Sequence, residues 1–465
     1  MKKFAIILGI ILGILLIIFL LITTSVDNRP YYQADYYKKT EARLDSLKST
    51  FVSINDSIKA GFAKVSITPG INYSEDQYAE GKFKEAPLAG YGARKGKKAT
   101  GIHDSIFVKA AAINSGNQTV VIVGADLLIM PPNIIDEVSK LLQTKGIQRS
   151  QVFYSASHSH SSLGGWGPGF IGEQFAGKEN PNLSKWLVLQ IAKVVTAAIA
   201  DLKPAQIGSG TFDAGDYTRN RLVGESGTKN SDFCFISIEQ KGGRKAVIGS
   251  FSAHSTTLGS DNMEFSADYP GYWQRKMEKT SVDLAIFCAG SVGSQSPAVD
   301  GDGFERPRKI GEPLADSLNK YLPKISLRDK IAFSSLSLKI VLPEYHIRLT
   351  TNLNLSTLLS EKLMPVPQNV YFQTLRLGNL IWITAPSDFS GEYALQIKNA
   401  LAAKGFIANV SSFNGSYVGY IIPGRYFFLD SYEPKTMGWF GPNMGEYSMN
   451  LIRQLTDILT QAPKN

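Results

Sequence analysis

The chain opens with an unbroken uncharged run, rich in Ile and Leu, from Phe4 to Val26, directly after Lys2 and Lys3. About 20 consecutive apolar residues are enough for a helix that crosses a bilayer. The run is longer than the apolar region of a cleavable signal peptide, and its end, LITTSV at 21–26, is a poor cleavage site. The pattern therefore predicts a transmembrane signal anchor over residues 1–26.

The flanks of this run predict its orientation and the nature of the next segment. The two lysines before it favour a cytoplasmic N-terminus, which places the remainder on the extracytoplasmic side, periplasmic or extracellular. Lys38, Lys39 and Arg43 on the other flank oppose this orientation. Leu44 and Leu47 belong to a spacing of three and four that predicts a short helical neck within a juxtamembrane linker, residues 27–57.

From residue 58 onward, strand-like runs alternate with amphipathic helical stretches. The predicted strands are 61–67, 106–113, 119–127, 151–156, 206–212, 232–239, 246–252, 283–289, 331–342, 369–377, 379–385 and 406–413. The predicted helices are 132–144, 184–202, 305–323, 391–404 and 442–461. This alternation predicts a single mixed α/β catalytic domain over residues 58–465, with a large sheet and flanking helices.

Composition and charge limit the classes of binding partner that the sequence supports. A hydrophobic content of 43% and a charged content of 19% are typical of a globular protein, and the net charge of +9 is spread along the chain. No stripe of basic residues interleaved with aromatics supports nucleic-acid binding. Cys234 and Cys288 lie in apolar runs, which predicts buried small side chains rather than a disulfide framework or a metal site. The oligomeric state is left open.

Two of the five histidines, His158 and His160, follow the strand-like run 152–154. Residues two apart on an extended chain lie on the same face, and strand ends of α/β sheets face the ligand crevice. Imidazole is both a common zinc ligand and a good general base. A polar loop whose histidines bond only to backbone groups explains an isolated H-x-H about equally well.

Other polar residues also follow predicted strands. His254 comes after 247–251, Asp388 after 380–384, and Ser296 after 284–288, so a shared crevice is expected. The surroundings of Ser296 are not G-x-S-x-G, and no H-E-x-x-H occurs in the chain. The residues alone predict an extracytoplasmic hydrolase and leave its metal dependence open.

Several blocks in the same order resemble the neutral, non-lysosomal ceramidases. They are AGFAKVSITP at 60–69, LAGYG at 88–92, GIHD at 101–104, GADL at 124–127, SHSHS at 157–161, HST at 254–256 and GSQSP at 293–297. The resemblance implies a zinc-dependent amidohydrolase that cleaves ceramide-like N-acyl sphingoid lipids with a metal-activated water. It also implies a lipid or amphiphilic substrate, met at the membrane that the N-terminal helix enters.

The resemblance further implies the roles of individual residues. The Zn²⁺ ligands would be His158, His254, Asp388 and Tyr426, with Tyr432 as the alternative tyrosine. The catalytic group would be His160 for proton transfer, Arg221 for the oxyanion, and Ser296 as either nucleophile or orienting group.

Three departures from the family pattern keep other functions open: Asp388 stands for a glutamate, Ser294 for an aspartate and Phe440 for a second tyrosine. One alternative is a related amide or ester hydrolase that acts on other N-acylated envelope lipids or peptides. A second is a non-catalytic binding protein with a degraded site, and a third is a serine hydrolase without metal.

Overall fold

The structure is a computed structural model that describes residues 2–461 of the chain. Its α-helices are α1 (Lys2–Ile22), α2 (Asp35–Thr50), α3 (Pro132–Gln143), α4 (Gly169–Ala176), α5 (Pro181–Ala200), α6 (Asp268–Thr280), α7 (Glu305–Tyr321), α8 (Thr357–Leu363), α9 (Gly391–Ala402) and α10 (Met444–Thr460).

Twelve strands form one branched sheet. They are β1 (Ile54–Ser66), β2 (Phe107–Ser115), β3 (Gln118–Ala125), β4 (Val152–Ala156), β5 (Lys203–Asp213), β6 (Asp232–Gln240), β7 (Lys245–Phe251), β8 (Leu284–Ala289), β9 (Lys330–Lys339), β10 (Tyr371–Leu377), β11 (Leu380–Thr384) and β12 (Ile407–Ser411). Five two-stranded pairs accompany it: Thr23–Ser25 with Leu353–Leu355, Leu88–Ala89 with Ser162–Leu163, Gly101–Ile102 with Glu264–Phe265, Thr218–Asn220 with Gln295–Pro297, and Asp388–Phe389 with Tyr420–Ile421.

The long strand β1 is the branch point, because it pairs antiparallel with β2, β5 and β9 along different parts of its length. Three wings leave it: β2-β3-β4, β5-β6-β7-β8 and β9-β10-β11-β12. The last two strands of every wing are parallel. Each wing therefore ends with two neighbouring carboxyl ends, where ligand crevices form in α/β sheets.

The wings enclose a shared apolar interior, to which Phe153, Ile236, Ile286 and Trp382 all contribute. The first two wings approach closely, since a Cβ on Gly124 would lie 2.5 Å from Ile286 Cγ2. On the outer faces, α3 and α5 cover the first wing, α6 and α7 the second, and α2, α9 and α10 the third. Burial of apolar area on both faces of the sheet is the main stabilising contribution.

This architecture confirms the predicted mixed α/β fold, and each predicted strand matches a strand of the sheet to within a few residues, except that β1 starts seven residues early. The sequence pattern missed α6, whose first turn contains Pro270 and Gly271. These residues usually indicate a turn, and only packing against α7 and β8 reveals the helix. Cys234 and Cys288 are free and fully buried, which confirms the prediction for both.

The N-terminal region combines an exposed helix with a docked one. Two helices, α1 and α5, are long and apolar enough to cross a membrane, but α5 is half buried in the body. Helix α1 has no buried residue, so it could be a signal anchor or a signal sequence. The expected neck contains α2, in which Leu44 is fully buried and the Thr40 hydroxyl receives hydrogen bonds from Val341 N and Tyr447 OH.

Candidate metal centre

His158, His254 and Asp388 meet at one point, although they lie far apart in the chain. Each follows a strand of a parallel pair: β4, β7 and β11 respectively. Asp388 Oδ1 lies 3.4 Å from His158 Nε2 and 3.2 Å from His254 Nε2. All three side chains are buried. The structure therefore brings these three side chains together.

Both imidazoles are oriented by backbone carbonyls. His158 Nδ1 lies 2.7 Å from Leu128 O, and His254 Nδ1 lies 2.8 Å from Gln295 O. Because a carbonyl only accepts, each Nδ1 donates, and in the neutral ring Nε2 then carries a lone pair. Metal-ligating histidines are usually held by such a bond on the other nitrogen.

Burial keeps these rings neutral. It lowers the pKa of His254 to about 3, with Arg221 contributing, and it lowers the pKa of His158 despite the nearby carboxylate of Asp388. For Asp388, burial by itself would raise the pKa, but His158, His254 and Tyr417 hold it below its ordinary value. The centre thus contains two neutral imidazoles and one carboxylate.

This donor set fits a divalent cation. Asp388 Oδ2 accepts a hydrogen bond of 2.7 Å from Tyr417 OH, whereas the buried Oδ1 receives none. Oδ1 therefore remains available beside the Nε2 atoms of His158 and His254, at 3.4 and 3.2 Å. Two imidazoles and a carboxylate are a ligand set that zinc uses in hydrolases.

His160 is close but is held differently. Its Nε2 lies 3.2 Å from His158 Nε2, and potential ligand atoms of His158, His160 and His254 all lie within 4.8 Å of one another. In contrast to the other two histidines, His160 Nδ1 is buried without a hydrogen-bond partner. Burial and the neighbouring histidines lower its pKa well below the ordinary value, so the ring is a neutral base.

The structure places Tyr420, and not the expected Tyr426, beside His254. Tyr420 OH lies 2.9 Å from His254 Nε2, and its residue pairs in register with Asp388. Tyr426 lies elsewhere, with its hydroxyl 3.2 Å from Glu392 Oε2. Tyr432, the alternative, lines the adjacent cavity with its ring centroid 6.2 Å from that of Tyr420. Tyr420 and Tyr432 are twelve positions apart, and Tyr426 lies between them. No periodic pattern in the sequence shows which of the three tyrosines reaches His254.

Arg221 reaches the centre and is held by a residue that sequence reasoning missed. Its Nη2 lies 3.0 Å from His254 Nε2 and donates to Tyr420 OH at 2.8 Å, while its Nε donates to Glu433 Oε1 at 2.7 Å. Glu433 is buried and also accepts from Ser294 Oγ at 2.6 Å. Ser294, one of the departures from the family pattern, therefore serves to position the carboxylate that holds Arg221.

Ser296 follows Ser294 by two residues but does not line the adjacent cavity. It pairs with Arg219 across a short antiparallel ribbon, and its Oγ accepts from Arg219 Nε at 3.4 Å. Its neighbour Gln295 supplies the carbonyl that orients His254.

Backbone strain is concentrated here. His158, Ser294 and Phe413 have φ values of 62°, 63° and 66°, in the left-handed region that residues other than glycine rarely adopt. The Phe413 ring stacks on His158 with centroids 4.3 Å apart. Such strain persists only where the surroundings hold it, and it is enriched at functional sites.

The centre lines a cavity of about 590 Å³, within the range of small-molecule sites. Polar groups that line it are His158, His160, Arg221, His254, Asp388, Tyr417, Tyr420 and Tyr432. The remaining wall is mainly apolar and includes Leu128, Ile129, Trp166, Ile171, Phe175, Tyr345, Met364, Val366, Met437, Trp439 and Phe440. Phe440, the third departure, is thus part of the apolar wall, and Tyr432 supplies a hydroxyl near the centre.

Fold and site together define a mixed α/β protein with a candidate metal centre that lines an apolar cavity. The chain belongs to the neutral/alkaline non-lysosomal ceramidase family, since the model of that family's N-terminal region matches residues 77–309, half of the chain. Membership of this family implies a hydrolase.

Two solved structures share the fold. The neutral ceramidase from Pseudomonas aeruginosa has a TM-score of 0.69 at 17% identity, over 88% of this chain and 75% of that chain. A ceramidase complexed with C2 has a TM-score of 0.71 at 18% identity, over 87% of this chain and 75% of that chain.

Proposed function

We propose that the protein is a zinc-dependent amidohydrolase that cleaves the amide bond of ceramide-like N-acyl sphingoid lipids. The observation that carries this proposal is the convergence of His158 Nε2, His254 Nε2 and Asp388 Oδ1 in the lining of a large apolar cavity. Zinc, when bound there, supplies a Lewis acid that polarises the carbonyl and lowers the pKa of water to about 7.

The proposed ligands are His158, His254 and Asp388, with Tyr420 in the place first given to Tyr426. Although Asp388 has a shorter side chain than glutamate, its Oδ1 still approaches both imidazoles. Its partner Tyr417 fixes the carboxylate through Oδ2, and outer partners of this kind raise metal affinity. These contacts argue against a degraded site in a binding protein.

His160 is the proposed proton carrier. Its Nδ1 lacks the carbonyl contact that orients His158 and His254, and burial lowers its pKa, so the ring is neutral and one nitrogen has a free lone pair. It would take the proton of the attacking oxygen and deliver it to the departing amine, a contribution of about 10²–10⁴ in rate. An amine leaves only when protonated, so this delivery is essential to amide cleavage.

Arg221 is the proposed oxyanion donor. Burial by itself would lower the pKa of Arg221, but Tyr420 and Glu433 raise it, so the guanidinium stays charged. Donors fixed in place before the reaction stabilise developing negative charge most effectively. Ser296 is the proposed third catalytic residue, either as nucleophile or as a group that orients substrate.

The apolar wall supports a substrate with a long hydrocarbon chain. An acyl chain would lie along the wall and place its amide at the proposed metal centre, beside the polar lining residues. Residues 58–465 form the proposed catalytic domain, and residues 27–57 its juxtamembrane segment. Residues 1–26 form the proposed membrane anchor, with the catalytic domain on the extracytoplasmic side.

The test uses the purified full-length chain in detergent micelles. We expect about one zinc per chain by elemental analysis, loss of ceramide hydrolysis on chelation, and recovery on addition of Zn²⁺. A panel of other N-acyl amines and esters measures selectivity. Activity that resists complete metal removal would overturn the metal mechanism. Faster cleavage of the other amides or esters would instead favour the related hydrolase.

A further inference from the structure

One segment of the chain, residues 345–368, connects the cavity to the end of the N-terminal helix. Both ends of the segment line the cavity, through Tyr345 on one side and Met364–Gln368 on the other. Its middle part, Leu353–Leu355, pairs with Thr23–Ser25, and Ser356 N donates to Ile22 O at 2.8 Å. The segment whose two ends line the cavity is therefore bonded, through its middle part, to the point where α1 ends.

Large apolar side chains are exposed around this point. We define the apolar rim as Phe170, Leu349, Leu358, Phe428 and Leu429. Leu358 and Phe170 are 67% and 64% exposed, more than most apolar side chains outside α1. Clustered exposure of this kind indicates a protein or membrane contact, whereas scattered exposure does not.

The rim residues are connected through the cavity wall. Helix α4, which carries Phe170, begins against the end of α8, since a Cβ on Gly169 would lie 2.8 Å from Pro365 Cδ. Arg348, next to Leu349, donates to the carbonyl of Phe427, which precedes Phe428. The chain segments that carry the rim residues are therefore in contact with residues 345–368 or belong to them.

Chain geometry places this rim close to the bilayer surface. The 21 residues of α1 span about 32 Å, which matches the hydrocarbon core of a bilayer. No part of α1 is buried, so lipid is free to surround it. Leu358 is two residues from Ser356, a reach of at most about 7 Å, and each headgroup layer is about 5–8 Å thick.

We propose that the apolar rim lies in the headgroup layer beside α1, so that the cavity opens onto the bilayer and takes its lipid directly from the leaflet. This inference rests on the proposed function and names the source of the substrate. An amphiphile would move along the rim into the apolar cavity without exposing its hydrocarbon chain to water, which removes the cost of full desorption.

Site-directed fluorescence tests the position of the rim independently of activity. The two native cysteines are fully buried, so a thiol-reactive probe labels only an introduced cysteine. The variants are Leu358→Cys and Phe170→Cys, with Tyr321→Cys as the control. Tyr321 is 39% exposed at the end of α7, on a wing whose helices do not line the cavity.

The full-length labelled proteins are reconstituted into phosphatidylcholine vesicles with or without headgroup-proximal nitroxide lipids. We expect at least about threefold stronger quenching at 358 and 170 than at 321, because short-range quenching requires lipid contact. Equal quenching at all three positions would overturn the proposal.

A second measurement follows entry of the lipid. Leu358→Asp and Phe170→Asp should lower hydrolysis of vesicle-embedded ceramide by about tenfold while leaving hydrolysis of a short-chain soluble N-acyl amine unchanged. Tyr321→Asp should change neither rate. Equal loss on both substrates would overturn the proposal. Strong quenching in the labelled 358 and 170 variants, together with a wild-type protein that cleaves neither substrate, would instead contradict the proposed function and leave the membrane contact standing.

Discussion

Asp388 and Tyr420 stand opposite each other on two short parallel strands, so that backbone pairing aligns a carboxylate and a phenol at one centre. Tyr417, three residues before Tyr420, donates to the other oxygen of the same carboxylate. A single loop between β12 and α10 thus supplies both the outer partner of Asp388 and a further candidate ligand.

Replacement of Tyr420 should weaken the centre, whereas the same change at Tyr426 should not. We expect Tyr420→Phe to lower zinc affinity and ceramide turnover, each by about tenfold or more, because a hydroxyl 2.9 Å from His254 is lost. Tyr426→Phe removes only a contact with Glu392 and is the matched control. Competition with a fluorescent chelator measures the affinity. Equal effects of the two changes would restore Tyr426 as a candidate.

Alanine variants of the two histidines in the H-x-H motif should differ in zinc content. His158→Ala removes a proposed ligand that is oriented by Leu128 O, so zinc should be lost together with activity. His160→Ala should retain zinc and lower kcat by about 10²–10⁴, because only proton transfer is removed. Elemental analysis and steady-state kinetics on the same preparations measure both. Loss of zinc in His160→Ala would identify His160 as a ligand.

Gly90 should be indispensable for the position of His160. Its φ is +129°, and an added Cβ would lie 2.6 Å from His160 Cα and 2.7 Å from its carbonyl oxygen. We therefore expect Gly90→Ala to lower kcat at least about tenfold with zinc retained. Gly146→Ala is the control, since Gly146 also has positive φ but no atom within 4 Å of an added Cβ. It should cost only about 1 kcal/mol of stability. Similar kcat values in both variants would contradict this prediction.

Stability should depend on a buried ion pair between the first two wings. Lys109 Nζ lies 2.6 Å from Glu278 Oε1, and Lys64 Nζ lies 3.1 Å from Oε2. Glu278→Gln leaves the buried Lys109 charge unpaired, so we expect a loss of about 3 kcal/mol in the free energy of unfolding at pH 7. The double variant Lys109→Met/Glu278→Leu should recover most of this loss, because no charge then remains buried.

The contribution of the Lys109–Glu278 pair to the free energy of unfolding should depend on pH. Burial by itself would raise the pKa of Glu278, but Lys109 and Lys64 hold it below its ordinary value of 4.5. A depressed carboxyl pKa stabilises the fold above the unfolded pKa, and this contribution is lost as pH falls through the folded pKa. The difference in urea midpoint between wild type and Glu278→Gln should therefore narrow below pH 4.5. A constant difference between pH 7 and pH 3.5 would contradict the assignment.

Much of the fold could be read from local patterns. The strands and most helices were predictable because alternation and helical spacing reflect which face of each element is buried. His158, His254 and Asp388 were predictable as a group because each directly follows a strand, and strand ends converge in α/β sheets. The position of Tyr420 beside His254 was not predictable from the sequence. Four tyrosines lie in the same irregular segment, and their spacing carries no periodic signal: Tyr417, Tyr420, Tyr426 and Tyr432.

The sequence by itself therefore determined the fold class, the apolar N-terminal run and the histidines that follow β4 and β7, since these depend on neighbouring residues. Only the tertiary structure decided that Tyr420 meets Asp388, that Glu433 holds Arg221, and that the chain after α1 pairs with residues 353–355. The physical reason is that each of these contacts joins segments brought together by the pairing of the three wings. Such contacts depend on where distant strands end in space, and no local periodicity encodes that.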